Sequence, residues 1–523
     1  MPAYPLPLRS TALLLALVAA LLLFRLDAVP LVGPDEPRYA RVAVEMHRAG
    51  DWVRPTLQGQ PWLEKPALYY WLAGAAYTLF GETAAAARLP SVLASVCVVG
   101  LTALAGARLF GNAAGLHAAF VLGTSLLFFV YGRAASMDML LAAGVTGATA
   151  IAGLRLLGLL GRWAMPAAWT CAALATLAKG PLGVLLPALV LGAFVLVRRR
   201  WGVLRELLSP RGILAFLLVA GPWYAAVWRD QGQHFVDVFL LDHNVQRFTS
   251  TIHRHPGPPW YYLPLLVAGL FPWSGLLLPG LARLWPRRVP ADLFVALWAG
   301  VPLVFFSLAG SKLPGYILPC LPPLAVIAGR AARDLTRGDV ALPRGTGPRA
   351  VALVTVALAA VIGAVPFGLR AQGFPDWRLA VPLAAWAVMV ALLFSRRLAP
   401  DPEGALRLLR VGAAGFLLLL AMAAPPIVAA RESGASLFAP AGGREVLAWN
   451  AWRTAWMAGY FYNDGRVRPV ESILDITAAA ERRPVLVLAG RREREELARV
   501  PGLRSTVLAR GPRDHALLEV ARR

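Results

Sequence analysis

LPSVLASVCVVGLTALAGA, at residues 89–107, is the stretch that decides the class of this protein. It is predominantly apolar and contains no charged side chain. A helix needs about 20 such residues to cross the hydrocarbon core of a bilayer. Because backbone groups find no hydrogen-bonding partner in lipid, a segment that crosses it is expected to be helical. Residues 89–107 therefore predict a transmembrane helix.

Comparable runs recur through the first 430 residues. The chain is 58% hydrophobic and only 15% charged, with a mean hydropathy of +0.58, which is too apolar for a soluble protein of 523 residues. We predict an all-α polytopic membrane domain over 1–430 with about 13 transmembrane helices, followed by a small C-terminal domain over 431–523. The predicted spans are 10–26, 89–107, 114–131, 137–157, 164–178, 181–197, 212–228, 260–282, 293–309, 313–329, 350–368, 379–395 and 411–429.

Two further apolar segments need an interpretation of their own. Residues 69–80 are too short to span a bilayer, so we expect a juxtamembrane or re-entrant helix at the interface. Arg9 and the apolar stretch that follows it resemble a signal peptide. Because no small-residue cleavage site follows, we expect an uncleaved first helix.

The distribution of arginine orients these helices. With 13 spans and the N-terminus inside, arginines greatly outnumber acids in the inner loops, whereas the outer loops are nearly balanced. Excess arginine marks the cytoplasmic side. The formal charge of +23 then reflects basic loops at the lipid surface rather than nucleic-acid binding. The Ala-, Arg- and Gly-rich composition indicates a bacterial chain, so we expect an inner-membrane protein whose outer loops face the periplasm.

Residues 431–523 predict a small α/β domain on the outer face. The apolar run 484–490, followed by an Arg/Glu-rich segment, predicts a strand, a turn and a helix. Asn463-Asp464-Gly465 predicts a hairpin turn. The three cysteines of the chain lie in apolar runs without CxxC spacing, which supports neither a disulfide framework nor a zinc cluster.

Lysine usage is the most informative feature of the polar residues. Of 52 basic residues only Lys65, Lys179 and Lys312 are lysines, and all three fall at outer-side helix ends or loops. One interpretation is chance combined with snorkelling at the interface. The other is that each position needs a compact ammonium charge, as phosphate binding does.

The first outer loop, 27–68, is dense in acids and cations. Asp35 and Arg38 lie at helical spacing beside a proline, and Glu64-Lys65-Pro66 follows further along. A capped interfacial helix would explain a single aspartate, but the repeated acids and cations favour a site. Asp138 starts a predicted helix on the same side, where an aspartate is ordinarily a cap.

Two later segments add polar groups on this side. The loop 229–259 holds four of the seven histidines, and one of them could bind a divalent metal together with Glu64, although no fixed ligand spacing supports this. The segment 311–319 places Lys312 and Tyr316 at the outer mouth of a helix, with Pro and Gly shaping the backbone. Together the cations and the tyrosine predict a binding site for a lipid phosphate, and a carboxylate beside them could act as general base.

These motifs, taken in order, resemble the ArnT-like family of lipid A aminoarabinose transferases, within the protein O-mannosyltransferase superfamily of GT-C fold. The motifs that carry the resemblance are 35–40, 64–66, Asp138, 243–248 with 260–262, and 311–319. The resemblance implies a metal-associated, inverting glycosyltransferase with a polyprenyl-phosphate sugar donor. The acceptor would be lipid A or another envelope glycolipid.

The resemblance also implies roles for individual residues. Asp35 would be the catalytic carboxylate, and Asp138 would support it. Glu64 and His243 would hold a divalent metal (Zn, or Mn/Mg), with His255 as the alternate ligand. The expected substrate-binding residues, most of which would grip the donor phosphate, are Arg38, Tyr39, Lys65, Lys179, Arg247, Lys312 and Tyr316.

Three other functions stay open at this point. A protein O-glycosyltransferase would use the same donor chemistry on a different acceptor. A lipid-linked-sugar transporter should place polar residues along a path across the membrane or at its midplane. The predicted polar clusters lie at one face instead, which argues against transport, and the two aspartates argue against a non-catalytic binding protein.

Overall fold

The computed structural model describes residues 7–239, 257–285, 289–337, 347–374 and 376–523. The predicted site residues Arg247, His243 and His255 lie outside the described residues. The helices of the N-terminal part are α1 Leu8–Leu23, α2 Asp35–Ala49, α3 Leu68–Phe80, α4 Ala84–Phe110, α5 Asn112–Gly123, α6 Leu126–Gly132, α7 Asp138–Leu156, α8 Ala164–Lys179, α9 Leu182–Arg198, α10 Leu204–Leu207, α11 Pro210–Gln231 and α12 Gln233–Phe235.

The second half of the chain continues the helical bundle and ends in a sheet. Its helices are α13 Tyr262–Gly269, α14 Leu277–Ala282, α15 Pro290–Leu308, α16 Leu321–Arg337, α17 Pro348–Ala371, α18 Ala380–Leu398, α19 Pro402–Glu432, α20 Ala435–Phe438, α21 Arg453–Tyr462, α22 Ile473–Ala480 and α23 Arg491–Ala498. The strands are β1 Thr56–Leu57, β2 Gln60–Pro61, β3 Val446–Trp449, β4 Val467–Val470, β5 Val485–Ala489, β6 Leu503–Arg510 and β7 Ala516–Arg522.

The predicted polytopic membrane fold is confirmed. Within the described ranges seven helices are long and apolar enough to cross a membrane, or nine if two bent helix pairs each count as one span. Every one of the 13 predicted spans coincides with a helix or with one of these pairs. The segment 69–80 forms the separate short helix α3, as expected.

Two predicted spans are not straight. The axis turns by 63° between α5 and α6, and by 114° between α13 and the helical turns 274–282, so the expectation of an unbroken span at 260–282 is wrong. At the first bend, the hydroxyls of Thr124 and Ser125 donate to the carbonyls of Phe120 and Val121, which competes with the helical ladder. At the second, Pro272 has no N–H to continue a helix.

The C-terminal part is a five-stranded mixed sheet in the order β4-β3-β5-β7-β6, with helices on its faces. The predicted strand, turn and helix over 484–498 are confirmed as β5 and α23. The predicted hairpin at 463–465 is wrong, because this turn joins α21 to β4, which pairs parallel to β3. The proposed division of the chain at residue 430 falls in the last turn of α19 and stays a prediction.

A second polar cluster lies at the opposite ends of α15 and α16 from the Lys312 loop, among arginines that the sequence assigns to the inner loops. Asp292 pairs with Arg330 at 2.5 Å, and Asp334 pairs with Arg283 and Arg333, each at 2.5 Å. These residues sit in the first turn of α15, the last turns of α16 and just beyond α14. Ion pairs confined to helix ends do not form a path across the bundle.

Candidate functional site

The helix α2 carries the first group of site residues. Pro34 precedes it, and Pro37 stands in its first turn, where a missing N–H leaves no intrahelical hydrogen bond unmade. Asp35 and Glu36 lie in the same turn, where the positive end of the helix dipole favours carboxylates. The helix ends at Ala49, and the next residue, Gly50, has the left-handed φ of +65° that glycine favours at a helix C-terminus.

Glu36 anchors this helix to its surroundings, a role that the sequence did not reveal. Its buried carboxylate accepts hydrogen bonds from the Val32 amide at 2.8 Å, from Arg88 Nη2 at 2.8 Å and from the Ala135 amide at 2.7 Å. Arg88 also donates to the carbonyls of Leu26, Val29 and Pro30. The Glu36–Arg88 pair thus ties the loop before Asp35 to α4 and to the turn before Asp138.

Asp35 and Arg38 form the outer edge of the site. Arg38 Nη2 lies 2.5 Å from Asp35 Oδ1 and 4.0 Å from Glu64 Oε2, and its guanidinium stacks on Trp62 at 4.9 Å. The Asp35 side chain is 53% exposed whereas that of Arg38 is 7% exposed. Burial alone would lower the pKa of Arg38, but the neighbouring Tyr39 hydroxyl and the charges of Asp35 and Glu64 raise it above its ordinary value. Arg38 is therefore a permanent, desolvated cation beside an accessible carboxylate.

Lys179 and Asp138 form a second ion pair at the ends of α8 and α7. The Lys179 ammonium lies 4.8 Å from the ring centre of Tyr316. Asp138 is the first residue of α7 but not its cap: Met137 holds the cap position, and its side chain makes no capping hydrogen bond. The capping interpretation of Asp138 is therefore wrong, and its carboxylate is used for the lysine.

The loop 311–316 closes over this pair. Lys312 Nζ donates to the Ala309 carbonyl at 2.7 Å and is buried. Gly315 packs so closely that a Cβ there would lie 2.7 Å from Asp138 Oδ2 and 2.7 Å from Tyr131 Cε1. Tyr131 is a site neighbour that sequence reasoning missed, because nothing in its apolar segment marks it.

Tyr39 connects the two ion pairs. Burial is the main cause that raises the pKa of its hydroxyl, and the charges of Asp35, Glu64 and Asp138 raise it further. Carboxylates of both ion pairs therefore act on this one buried phenol. Lys65 is buried next to Glu64, with Nζ 3.0 Å from the Glu64 carbonyl oxygen. The structure thus brings together Asp35, Arg38, Tyr39, Glu64, Lys65, Asp138, Lys179 and Tyr316.

The predicted metal ligands do not form a site within the part of the chain that the structure describes. There, no three His, Cys, Asp or Glu side chains come together in a metal-binding group. The Glu64 carboxylate lies near Arg38, a cation that would compete with a metal for it. The other two predicted ligands, His243 and His255, are outside the described residues, and the metal stays a prediction.

The C-terminal domain holds the loop that precedes Asp35. Tyr462 Oη accepts a hydrogen bond from the Leu31 amide at 2.7 Å, and Ser433 Oγ donates to the Leu31 carbonyl at 3.0 Å. Further along α2, Asp464 pairs with Arg41 at 2.6 Å and with Arg48 at 2.7 Å. The position of α2 is therefore set from both the membrane bundle and the sheet domain.

Comparison with known proteins places this chain in a family. Residues 64–225 match the family model described as dolichyl-phosphate-mannose-protein mannosyltransferase. The undecaprenyl phosphate-α-4-amino-4-deoxy-L-arabinose arabinosyl transferase of Pseudomonas aeruginosa (strain UCBPP-PA14) is 36% identical over 406 residues, covering 69% of this chain and 71% of the relative. The chain belongs to this arabinosyl transferase family.

Other members agree with this assignment. The arabinosyl transferase of Edwardsiella ictaluri is 32% identical over 376 residues, covering 66% of each chain. The crystal structure of ArnT from Cupriavidus metallidurans bound to undecaprenyl phosphate has a TM-score of 0.78 and 25% identity, with 97% of both chains covered. The apo structure of the same protein has a TM-score of 0.80 at 24% identity. The fold of this arabinosyl transferase family member, including its C-terminal sheet domain, is therefore that of ArnT.

Gly315→Ala tests the close packing over the Asp138–Lys179 pair. The new methyl group would overlap Asp138 and Tyr131, so the loop or the pair must move. A displacement of about 1 Å at a reacting centre costs on the order of 100-fold in rate. We expect a loss of that size in sugar transfer by the purified variant. Gly300→Ala, where no atom lies within 4 Å, should transfer at the normal rate, and equal rates for all three proteins would contradict the packing argument.

Proposed function

We propose that this chain transfers 4-amino-4-deoxy-L-arabinose, or a closely related sugar, from undecaprenyl phosphate to lipid A or another phosphate-bearing envelope glycolipid. Its curated relatives are named for a donor of this kind, and the related Cupriavidus structure holds undecaprenyl phosphate. We also propose that it works in the bacterial inner membrane with the site facing the periplasm. The excess of arginine in the opposite loops supports this orientation.

The observation that carries the proposal is the pairing of Arg38 with Asp35. Arg38 is buried, and its Nε makes no hydrogen bond within the described residues. A buried guanidinium whose N–H group has no hydrogen-bond partner favours the binding of an anion, because leaving a buried charged group unsatisfied costs free energy. The half-exposed Asp35 carboxylate beside it is open to an incoming acceptor.

The chemistry follows from these positions. An acceptor oxygen attacks the anomeric carbon of the donor, the bond from that carbon to the phosphate oxygen breaks, and undecaprenyl phosphate leaves with the electron pair. Arg38, Lys65 and Lys179 stabilise the negative charge that develops on the leaving phosphate. Asp35 accepts the acceptor's proton or, when the acceptor is itself an ionised phosphate, orients it.

The test of the function is the fate of a labelled sugar. Purified protein is given the labelled undecaprenyl-phosphate sugar with lipid A or with an envelope protein extract, and each fraction is analysed by mass spectrometry. Label on lipid A is the expected result. Label on protein alone would replace the proposal with the protein O-glycosyltransferase. Donor movement across a vesicle membrane without any product would indicate the transporter.

A divalent metal is a separate proposal, which rests on the family resemblance and on Glu64 at the site. Carboxylate and imidazole ligands suit Zn or Mn, and carboxylates also bind Mg. We expect that removal of metal by a chelator abolishes transfer and that one of these ions restores it. Full activity of protein shown by elemental analysis to be free of these metals would contradict the proposal.

A further inference from the structure

A wide cleft opens at one end of the C-terminal sheet, away from the site at Asp35. It has a volume of about 810 Å³ and lies where β3, β4 and β5 begin, beside α22. Five of its fourteen lining residues are arginines, whereas arginines make up 16 of the 93 residues of 431–523. The charged lining residues are Arg444, Arg466, Arg468, Arg482, Arg483, Glu445 and Asp475.

The cleft is electrostatically unbalanced. Arg444 is neutralised by Glu519 at 2.7 Å, and Arg468 lies 3.4 Å from Glu445. Arg482 and Arg483 are exposed, and their side chains make no ion pair or hydrogen bond within the described residues. Arg466 Nη1 donates a hydrogen bond to the Gly443 carbonyl oxygen at 2.6 Å. Three arginines therefore face the cleft with only Asp475 to oppose them.

Guanidinium groups bind phosphate in a planar, often bidentate geometry, and several around one cleft select a ligand with more than one phosphate or a phosphate on a large head group. The volume of the cleft exceeds what a single phosphate needs and is within the range of sites that take ligands the size of a disaccharide. A plain solvated surface would explain scattered arginines but not five around one cavity.

One segment of the chain lines the cleft and also contacts α2, the helix that carries Asp35. Residues 463–468 contribute Arg466 and Arg468 to the cleft, while Asp464 pairs with Arg41 and Arg48 of α2. Gln58 of the outer loop donates to the carbonyls of Gly465 and Val467. Arg41 is six residues from Asp35, about 9 Å along the helix. A segment that lines the cleft is therefore in direct contact with the helix that carries Asp35.

We propose that this arginine cleft binds the phosphorylated head group of the acceptor glycolipid. The proposal rests on the proposed function, since it assigns a second contact to the same acceptor. The cleft holds a phosphate that does not react, while the reacting group reaches Asp35. Arginines in this domain would then set the affinity for the acceptor and leave donor binding unaffected.

The experiment compares the full-length protein with Arg482→Gln/Arg483→Gln and with a matched control, Arg492→Gln/Arg499→Gln. The control removes two exposed arginines of the same domain that do not line the cleft. Binding is measured by calorimetry with the donor site saturated by undecaprenyl phosphate. The probes are deacylated lipid A, its dephosphorylated form and inorganic pyrophosphate. The acceptor KM and the donor KM are measured in parallel.

We expect the cleft variant to bind deacylated lipid A about tenfold more weakly and to show a similar rise in acceptor KM, with donor KM unchanged. The control should match the wild type, and the dephosphorylated probe should bind weakly to all three proteins. Equal affinity of cleft variant and wild type would overturn the proposal. Tight binding of pyrophosphate without binding of the lipid head group would also overturn it, in favour of a soluble anion.

The two failures can be told apart. If no sugar reaches lipid A but the head group still binds through the arginines, the proposed function fails and the cleft remains a phosphate site. If sugar transfer occurs and neither acceptor KM nor head-group binding responds to the cleft variant, the function stands and the cleft assignment fails.

Discussion

Asp35→Asn should reduce the turnover of sugar transfer by about 10²–10⁴-fold, the usual contribution of a positioned acid–base group. The asparagine keeps the size of the side chain and can still contact Arg38, but it can neither accept a proton nor hold a negative charge. Because Asp35 is the exposed partner of that pair, the fold should tolerate the change. The measurement is kcat for release of undecaprenyl phosphate in the presence of acceptor.

The control for this variant is Asp27→Asn, which removes an exposed carboxylate from the same outer loop. It should leave kcat within about twofold, as expected for an exposed surface position. Donor binding should be retained in both variants, since Arg38 and the lysines are intact. Wild-type turnover by Asp35→Asn would remove the catalytic role of this carboxylate.

Glu36→Gln should destabilise the protein by about 3–5 kcal/mol, the cost of leaving a buried charge without its partner. The side chains of Arg88 and Glu36 are only 3% and 8% exposed. The loss should appear as a lower midpoint of thermal unfolding in detergent. It should also lower activity, because Glu36 holds the turns before both Asp35 and Asp138.

Two further variants show whether the buried charge is the cause. Glu403→Gln breaks an exposed pair with Arg407 and should leave the midpoint of thermal unfolding nearly unchanged, because solvent screens this pair. Glu36→Gln/Arg88→Gln leaves no buried charge behind, keeps a side-chain amide that can donate to the neighbouring carbonyls, and should be more stable than Glu36→Gln alone. A Glu36→Gln protein as stable as the wild type would show that the pair does not anchor α2.

The membrane fold could be predicted from the sequence because its main determinant is local. Each of the 13 runs carries its own apolar length, and a helix satisfies its backbone within that run. The prolines and acids around its first turn likewise indicated the helix at Asp35. The bend after Gly269 was not, because a proline and a glycine within an apolar run fit either a kinked span or two separate helices.

The sequence singled out most of the side chains that the fold brings together here, but it did not predict which of them pair. Rare lysines and clustered acids pointed to Lys179 and Asp138 separately, but only the fold shows that they pair. The partner of Glu36 is 52 residues away, in a helix that reads simply as apolar. The hairpin prediction at 463–465 was wrong because Asn-Asp-Gly is typical of a hairpin turn. The strand that follows this turn, β4, instead pairs in parallel with β3, which precedes α21.

The most direct measurement of the central claim, that this site holds a polyprenyl phosphate for sugar transfer, is the affinity of the purified full-length protein for undecaprenyl phosphate. Wild type is compared with Lys179→Gln and with Arg492→Gln, an exposed cation outside the site. We predict binding about tenfold weaker in Lys179→Gln, the loss expected for one charge-assisted contact to phosphate, and unchanged in the control. Equal affinity of all three proteins would contradict the account.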